Sequence, residues 1–283
     1  MTIHVSQPAL SRSIKDLEAD LGVELFVRNA RGLTLTAAGE RLEAHAQHLI
    51  KVMEEVRRSV LADGKGAPEE VAIAAPPSIE RLLFLELMDS MRNRWPSTSI
   101  KVFTAGTRKS IGLLRDRQAD VAILSCSQNT GLSRETREFH CEYAASEGLY
   151  LVGGRQSELP PSITLQALQD FPVIAKESEN VVRSMIEEEA RKRHLQLNKV
   201  AEVEGSFVLR EMMLKNRGYA ILPASAINND REIFSFAEIE GLKIERHVAR
   251  PIEPPPTPAK AGLFNTILDL IQARVGKINC ARQ

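Results

Sequence analysis

Three polar or basic side chains near the start of the chain, Ser11, Arg12 and Lys15, share one face of a predicted helix with Pro8. Such a short, basic set suits insertion into the major groove of DNA. Ser6 is a good N-cap for this helix, and Pro8 lies in the first turn, where its missing N–H costs nothing. The other face is apolar at helical spacing and consists of Leu10, Ile14, Leu17 and Leu21. The pattern predicts an amphipathic DNA-recognition helix.

A short β-hairpin is predicted directly after this helix, with strands over residues 24–28 and 33–36. The loop between the strands contains Asn and Gly, which supply the positive φ angles of a tight reversal. Such a wing would bring Arg28 and Arg31 to the phosphate backbone or the minor groove. The alternative is a surface hairpin whose arginines are solvated. Residues 1–35 are therefore predicted to form a partial winged helix-turn-helix.

A long helix, capped by Thr36, is predicted over residues 36–62. An apolar seam with heptad spacing runs along it through Leu42, Ala46, Leu49, Met53, Val56 and Val60. This seam predicts a two-helix dimerisation element, which would place two recognition helices on successive major-groove faces of a palindromic site. The alternative is that the helix packs on the globular part of its own chain. Residues 63–69 are predicted to be a linker.

From Val71 onward, short apolar strands alternate with helices, which is typical of α/β domains with mainly parallel sheets. Two such sets predict a two-lobed body over residues 70–283. We expect lobe I to comprise residues 70–144 and 242–283, and lobe II to comprise residues 145–241. Because the last strand and helix most simply return to lobe I, two strands would cross between the lobes as a hinge.

Small hydroxyl residues follow several of the predicted strands, at the ends where ligands of open α/β sheets bind. They are Ser78, Ser125, Ser178, Ser206 and Ser225. Helix-start N–H groups at the same ends favour anions. The alternative is that each serine is only the N-cap of a helix. As a set, these residues predict a small-ligand cleft.

The charge balance limits the function classes. Lys+Arg and Asp+Glu are both 37, which argues against a strong non-specific polyanion binder but allows a sequence reader with few, local basic groups. Cys126, Cys141 and Cys280 are widely spaced, so we expect inert thiols and no disulfide framework; a redox pair of Cys126 and Cys141 is the alternative. With neither a membrane-length apolar run nor a signal-peptide pattern, we expect a cytoplasmic protein without a membrane partner.

The sequence contains none of the phosphate-loop, His-Glu-x-x-His, Cys-x-x-Cys or nucleophile-elbow motifs. His140 and Cys141 form one isolated pair, which falls short of a metal-ligand set. We therefore expect no catalytic residue, no metal and no cofactor, and an enzyme is the least favoured class.

Taken together, these segments resemble the LysR-type transcriptional regulators over essentially the full length. The most specific segments are residues 5–12 (VSQPALSR), 17–18 (LE), 21–28 (LGVELFVR) and 35–39 (LTAAG), supported by 95–96 (WP), 119–123 (ADVAI) and 217–223 (RGYAILP). The resemblance implies an α/β protein with a winged helix-turn-helix, a dimerising linker helix and a two-lobed effector domain like type 2 periplasmic binding proteins. The stretch from residues 181–183 to 219–223 is similar to a family branch associated with nitrogen assimilation and small organic acids.

The resemblance also implies roles for individual residues. Gln7, Pro8, Ala9, Ser11, Arg12 and Lys15 would face double-stranded DNA, with Arg28 and Arg31 as wing contacts. Gln7 can pair with adenine, Arg12 with guanine and the Ala9 methyl with a thymine methyl, while Lys15 would position on phosphate. The effector cleft would include Pro77, Ser78, Ser125, Ser178 and Pro223. A small organic effector there would shift the lobes and the spacing of the recognition helices in a homodimer or homotetramer.

The chain departs from the family at its beginning, since family members carry two helices before the Val-Ser-Gln-Pro motif. Only Met1 to His4 precede it here, so we expect a misplaced start or a truncated product with impaired DNA binding. The misplaced start is favoured, because a disused domain would be under no pressure to keep so intact a recognition helix. Two alternative functions are a ligand-binding dimerisation partner that no longer reads DNA, and a solute-binding protein, which would carry an export signal and no heptad helix.

Overall fold

A computed structural model describes residues 7–29, 32–43, 45–46, 49–50, 53, 70–230 and 232–280. The chain divides into two compact units, Met1–Ala67 and Pro68–Gln283. The first unit contains α1 (Gln7–Leu21) and a hairpin of β1 (Phe26–Asn29) and β2 (Gly32–Leu35). Helix α2 follows, with residues 37–43, 45–46, 49–50 and 53 helical. The predicted helix, wing and linker-helix start are therefore confirmed, with strand bounds shifted by one or two residues.

Two side chains hold the junctions of this first unit. The Glu18 carboxylate accepts hydrogen bonds from the backbone N–H groups of Leu25 (2.7 Å) and Phe26 (3.2 Å), which fixes the turn between α1 and β1. The Thr36 hydroxyl accepts from the backbone N–H of Gly39 (3.0 Å), so Thr36 is the N-cap of α2 as predicted. A Cβ at Gly39 would lie within clashing distance of the Leu25 carbonyl oxygen. A glycine is therefore required where α2 passes the turn.

The second unit alternates strands and helices. Its strands are β3 (Glu70–Ala75), β4 (Ser99–Thr104), β5 (Val121–Ser127), β6 (Phe139–Gly154), β7 (Ser162–Ile163), β8 (Val173–Lys176), β9 (Lys199–Val203), β10 (Ala220–Pro223) and β11 (Phe234–Pro251). Its α-helices are α3 (Pro77–Arg94), α4 (Thr107–Arg115), α5 (Val181–Lys192), α6 (Ser206–Leu214), α7 (Ala224–Ile227) and α8 (Pro258–Cys280). Short 3₁₀ helices cover Arg134–Glu138, Gln166–Asp170 and Asn228–Asp230.

A seven-stranded sheet with the order β10-β6-β11-β5-β3-β4 organises this unit, and β7 pairs beside β11. Strand β3 is parallel to β4 and β5, and β8 is parallel to β9. The centre differs from the prediction of mainly parallel sheets, because β11 is antiparallel to both β5 and β6. The first half of β6 was not predicted as a strand. Its polar and small residues lack the continuous apolar run of a buried parallel strand.

The two long strands β6 and β11 run through two hydrophobic regions. In one region, Ala144, Ala145 and Val248 pack with α3 and α8. In the other, Leu149 and Ile244 pack with α5 and the segment around β7. Two lobes therefore share one ribbon, which agrees with the expected pair of crossing strands. Among the described residues, no helix has both the length and the apolar character of a membrane span.

Candidate functional site

Helix α1 presents its residues to solvent along its whole length, and none of them is buried. The six predicted DNA contacts on it are all exposed, namely Gln7, Pro8, Ala9, Ser11, Arg12 and Lys15. Leu10, Leu17 and Leu21 on the apolar face are exposed as well. The described part of α1 thus offers a free polar face and an uncovered apolar face.

The remaining predicted residues of the first unit are the two wing arginines and the apolar seam of the linker helix. The backbone of Arg28 lies in β1 opposite Leu33, and Arg31 lies outside the described residues. On α2, Leu42 and Ala46 are partly buried. The linker seam continues with Leu49 and Met53, whose exposed fractions are 62% and 72%, while Val56 and Val60 lie outside the described residues. Two large apolar side chains on one helix face are therefore open to a partner.

A buried arginine lies where β11 crosses between the lobes. Arg246 is 2% exposed, and its Nε donates to Oε1 of Glu147 at 2.6 Å. Its guanidinium also donates to the hydroxyl of Ser125 and, over longer distances, to those of Ser78 (3.3 Å) and Ser225 (3.4 Å). We call these five residues the Arg246 cluster. The structure brings the predicted cleft residues Ser78 and Ser125 together on one cation.

Glu147, on β6, completes the charge balance of the Arg246 cluster. It is fully buried, and Oε2 accepts from the backbone N–H of Ser225 at 2.6 Å while Oε1 accepts from the Ser225 hydroxyl at 3.1 Å. Arg246 and Glu147 thus form a buried ion pair. Such a pair offsets its desolvation cost only when the remaining donors and acceptors are hydrogen-bonded. The hydroxyls of Ser78 and Ser225 supply the longest of these contacts.

Three elements position the hydroxyls. Ser78 is the second residue of α3 and Ser225 the second residue of α7, and each of these helices follows a proline N-cap. Ser125 lies in β5, where its backbone N–H and C=O are both bonded to the Thr107 hydroxyl (2.8 and 2.9 Å). The N-cap of α5 is Asn180 rather than Ser178. The N-cap of α6 is Gly205, directly before Ser206. None of the five serines is therefore the N-cap of a helix, contrary to the alternative.

The other predicted cleft residues stand at the edges of this region. Pro77, the first residue of α3, is exposed, and Pro223 is the buried N-cap of α7. Ser178 is exposed on the loop after β8, where its carbonyl accepts a hydrogen bond from Ser184 (3.4 Å). A shallow pocket lined by residues 127–130, α5 and residues 241–243 contains none of the five predicted effector contacts.

Arg246 and Glu147 were not predicted as site residues. The feature of the sequence that could have indicated them is a charged residue inside a long strand. It occurs in Ser146-Glu-Gly148 and in Glu245-Arg-His247. A charge within a buried strand requires a partner. Their pairing itself depends on the register of β6 against β11, which the sequence does not reveal.

A second set of ion pairs connects the lobes beside this cluster. Asp230, which is buried, accepts from Arg81 of α3 (2.7 Å between Nη2 and Oδ1) and from Arg210 of α6 (2.6 Å between Nη1 and Oδ2). The hydrogen bonds from Arg81 are the main cause that holds the pKa of Asp230 below its usual value. Helix α3 packs in the region of Ala144, Ala145 and Val248, whereas α6 packs with Tyr150 and Val152 in a separate cluster of lobe II. Asp230 therefore connects helices of the two lobes.

The redox alternative for Cys126 and Cys141 is contradicted by the sheet register. Cys126 on β5 is opposite Glu245, and Cys141 on β6 is opposite Ala249, so the thiols flank β11 four residues apart. At about 3.4 Å per residue this separation exceeds the reach of a disulfide. Burial, with Glu245 nearby, raises the pKa of Cys126 to about 11, so its thiol stays protonated and is a poor nucleophile.

Comparisons with known proteins match both units. The model described as "Bacterial regulatory helix-turn-helix protein, lysR family" matches residues 2–40. The model described as "LysR substrate binding domain" matches residues 64–268, which is more than half of the chain.

Individual relatives agree with these matches. The chain is 28% identical to the nitrogen assimilation regulatory protein nac of Klebsiella aerogenes, over 79% of this chain and 72% of the relative. A full-length OxyR variant from Pseudomonas aeruginosa has a similar fold, with a TM-score of 0.68 at 20% identity over 95% of this chain and 86% of that chain. Full-length CbnR complexed with its target DNA is similar with a TM-score of 0.57 at 20% identity, over 95% and 91%. The chain therefore belongs to the LysR family of bacterial helix-turn-helix regulatory proteins.

Proposed function

We propose that this chain is a transcriptional regulator whose effector is a small organic anion bound at the Arg246 cluster. The observation that carries the proposal is that one buried guanidinium reaches hydroxyls supplied from both lobes, Ser78 of α3 and Ser225 of α7. A ligand at this point would contact both lobes at once. Such a ligand can change the relative stability of open and closed lobe arrangements.

The chemistry of the cluster favours a carboxylate. The two bonds from Nη2 of Arg246 are long, at 3.3 and 3.4 Å, and a carboxylate oxygen would make a shorter, charge-assisted bond in their place. Ser78 lies in the first turn of the 18-residue helix α3, where the helix dipole favours negative charge. Serine hydroxyls can turn from accepting the guanidinium bond to donating to the ligand.

The lobe contacts provide a route from effector to DNA. Opening or closing the lobes would change the distances from Asp230 to Arg81 and Arg210. In an oligomer, a change of lobe angle would alter the spacing of the two recognition helices. Exposed Leu49 and Met53 on α2 support a homodimer, which can pair further into a homotetramer. We propose a cytoplasmic location and no catalytic role, since the relatives that the chain matches are regulatory proteins.

The effector proposal is tested on the full chain with a panel of small mono- and dicarboxylates. At least one is expected to give a saturable rise in the thermal midpoint, because a ligand that binds the folded state stabilises it. Ser78→Ala should weaken that binding about tenfold, the loss of one hydrogen bond to a charged group. The control is Ser97→Ala, which removes an exposed hydroxyl after the far end of α3. Unchanged affinity in Ser78→Ala would contradict the proposal.

The second candidate function is a ligand-binding dimerisation protein that no longer reads DNA. Exposure of the apolar face of α1, at Leu10, Leu17 and Leu21, favours it. Gel shifts with the upstream DNA of the chain's own gene compare the wild-type chain with Arg12→Ala. Weaker binding by about 1–3 kcal/mol in the variant supports DNA reading, whereas equal binding supports the second candidate.

A further inference from the structure

Three side chains with metal-binding chemistry converge on the sheet face opposite the Arg246 cluster. Cys126 of β5 is directly opposite Glu245 of β11 in the antiparallel register, and His247 lies two residues further on. Because side chains alternate along a strand, all three lie on one face, while Arg246 and Ser125 point to the other. The thiol, carboxylate and imidazole ligand atoms lie within 4.8 Å of one another. We call these three residues the Cys126 cluster.

Two of the three distances between ligand atoms are close to those of a tetrahedral site. With zinc bonds of about 2.0–2.3 Å to nitrogen, oxygen and sulfur, neighbouring ligand atoms stand about 3.4–3.6 Å apart. Nε2 of His247 is 3.4 Å from Oε2 of Glu245, and Sγ of Cys126 is 3.9 Å from the same oxygen. The third pair, the Cys126 thiol and the His247 imidazole, lies within 4.8 Å, so rotation of the side chains would bring all three ligands around one ion.

We propose that the Cys126 cluster binds a divalent first-row transition metal, with Zn²⁺ as the best match to its sulfur, nitrogen and oxygen donors. On binding, the S–H bond of Cys126 breaks, its proton passes to solvent, and a sulfur–metal bond forms. Glu245 binds as the carboxylate and His247 as the neutral imidazole. Three protein ligands leave the fourth position for water or an added ligand.

The surroundings of the cluster allow entry of an ion and help to orient the ligands. The side chains of His247 and Glu245 are 15% and 22% exposed, so one side of the site reaches solvent, whereas Cys126 is buried. The ring of Tyr143 packs edge-on against His247, with centroids 5.6 Å apart. The simpler explanation, a His247–Glu245 hydrogen bond beside an inert thiol, accounts for each pair of contacts but not for three donor types meeting at one point.

No metal was expected from the sequence, because the three ligands are not closely spaced along the chain. Cys126 is 119 positions away from Glu245 in the chain. Only the pairing of β5 with β11 brings the thiol to the two ligands of β11. A metal there would join two neighbouring strands directly behind the Arg246 cluster.

The test uses the full chain without an affinity tag, stripped with a chelator and titrated with Co²⁺, whose bond to a thiolate has a charge-transfer absorption. We expect one cobalt per chain, a sulfur-to-cobalt band, and loss of that band when Zn²⁺ is added. Cys126→Ser should abolish the band, and His247→Gln should weaken cobalt binding at least tenfold. The matched controls are Cys141→Ser, a half-buried thiol on the neighbouring β6, and Cys280→Ser, and both should keep the band.

Three results would overturn the proposal. The first is the absence of a sulfur-to-cobalt band in the wild-type chain. The second is a band that survives Cys126→Ser or disappears in either control variant. The third is unchanged cobalt affinity in His247→Gln. If Cys126→Ser fails to fold, judged by circular dichroism of the metal-free chain, His247→Gln and the two control variants decide.

Discussion

Nε of Arg246 and Oε1 of Glu147 lie 2.6 Å apart, and both side chains are buried. The two residues belong to adjacent strands that both lobes use, β11 and β6. Their ion pair is therefore part of the connection between the lobes and, at the same time, the base of the proposed effector site.

Glu147→Gln tests the strength of this pair. The substitution leaves Arg246 buried without a counter-charge, which costs about 3–5 kcal/mol of unfolding free energy. Urea unfolding followed by circular dichroism measures the loss. The control is Glu138→Gln, which breaks a surface pair with Arg115 whose side chains are about half exposed and should cost less than about 1 kcal/mol. Similar losses in the two variants would contradict the structural interpretation.

Asp230→Asn tests the acid sensitivity of the lobe contact. The pKa of Asp230 is lower in the folded chain than in the unfolded chain, mainly through the hydrogen bonds from Arg81. Its contribution is therefore complete above the unfolded value near pH 4 and is lost as the pH falls through the lower, folded value. Unfolding free energies measured from about pH 5 to pH 2 should fall less steeply in Asp230→Asn than in the wild-type chain. An unchanged slope would exclude this origin.

Gly39→Ala tests the close approach of α2 to the turn before β1. The added Cβ would clash with the carbonyl oxygen of Leu25 and lie 2.9 Å from Cδ2 of Leu35. Because a backbone oxygen cannot rotate away, the first unit should lose about 1–3 kcal/mol, seen as faster proteolysis within residues 1–67 and weaker DNA binding. Gly112→Ala is the opposite control. Nothing lies within 4 Å of its added Cβ in α4, so the second unit should gain about 0.5–1 kcal/mol.

Leu49→Glu combined with Met53→Glu tests the seam of α2. Both side chains are largely exposed in the single chain, and charges on the seam would repel across a two-helix contact. Sedimentation velocity should show the wild-type chain as a dimer or tetramer and the double variant as a monomer. Glu40→Lys, an exposed change on the same helix, should leave the oligomer intact. A double variant that still sediments as a dimer would locate the interface elsewhere.

How much the sequence predicts depends on how local the signal is. The cap at Thr36 and the hairpin after α1 depend on neighbouring residues, and both are confirmed. The first half of β6 was missed because Ala144 and Ala145 interrupt any apolar alternation, and a register shift next to them lets β6 hold one extra residue. Residues 165–168, predicted as a helix, form part of a 3₁₀ turn over Gln166–Asp170.

Prediction of the site residues from the sequence is likewise limited to local signals. Ser78 and Ser125 were predicted as cleft residues because each follows a predicted strand, which is a local pattern. Arg246 and Glu147 lie 99 positions apart, so their pairing depends on strand register, for which the sequence has no local signal.

The alternation of Glu245, Arg246 and His247 has a consequence for how this protein can change over evolution. Since neighbouring residues of β11 serve opposite faces, deletion of one residue just before Glu245 would exchange the two sets and move the guanidinium away from Glu147. Deletion of two residues would return each side chain to its original face of the sheet. Substitutions can therefore adjust either face separately, whereas a length change of one residue in this part of β11 would need a bulge, like the one at Ala144 of β6, to keep both faces.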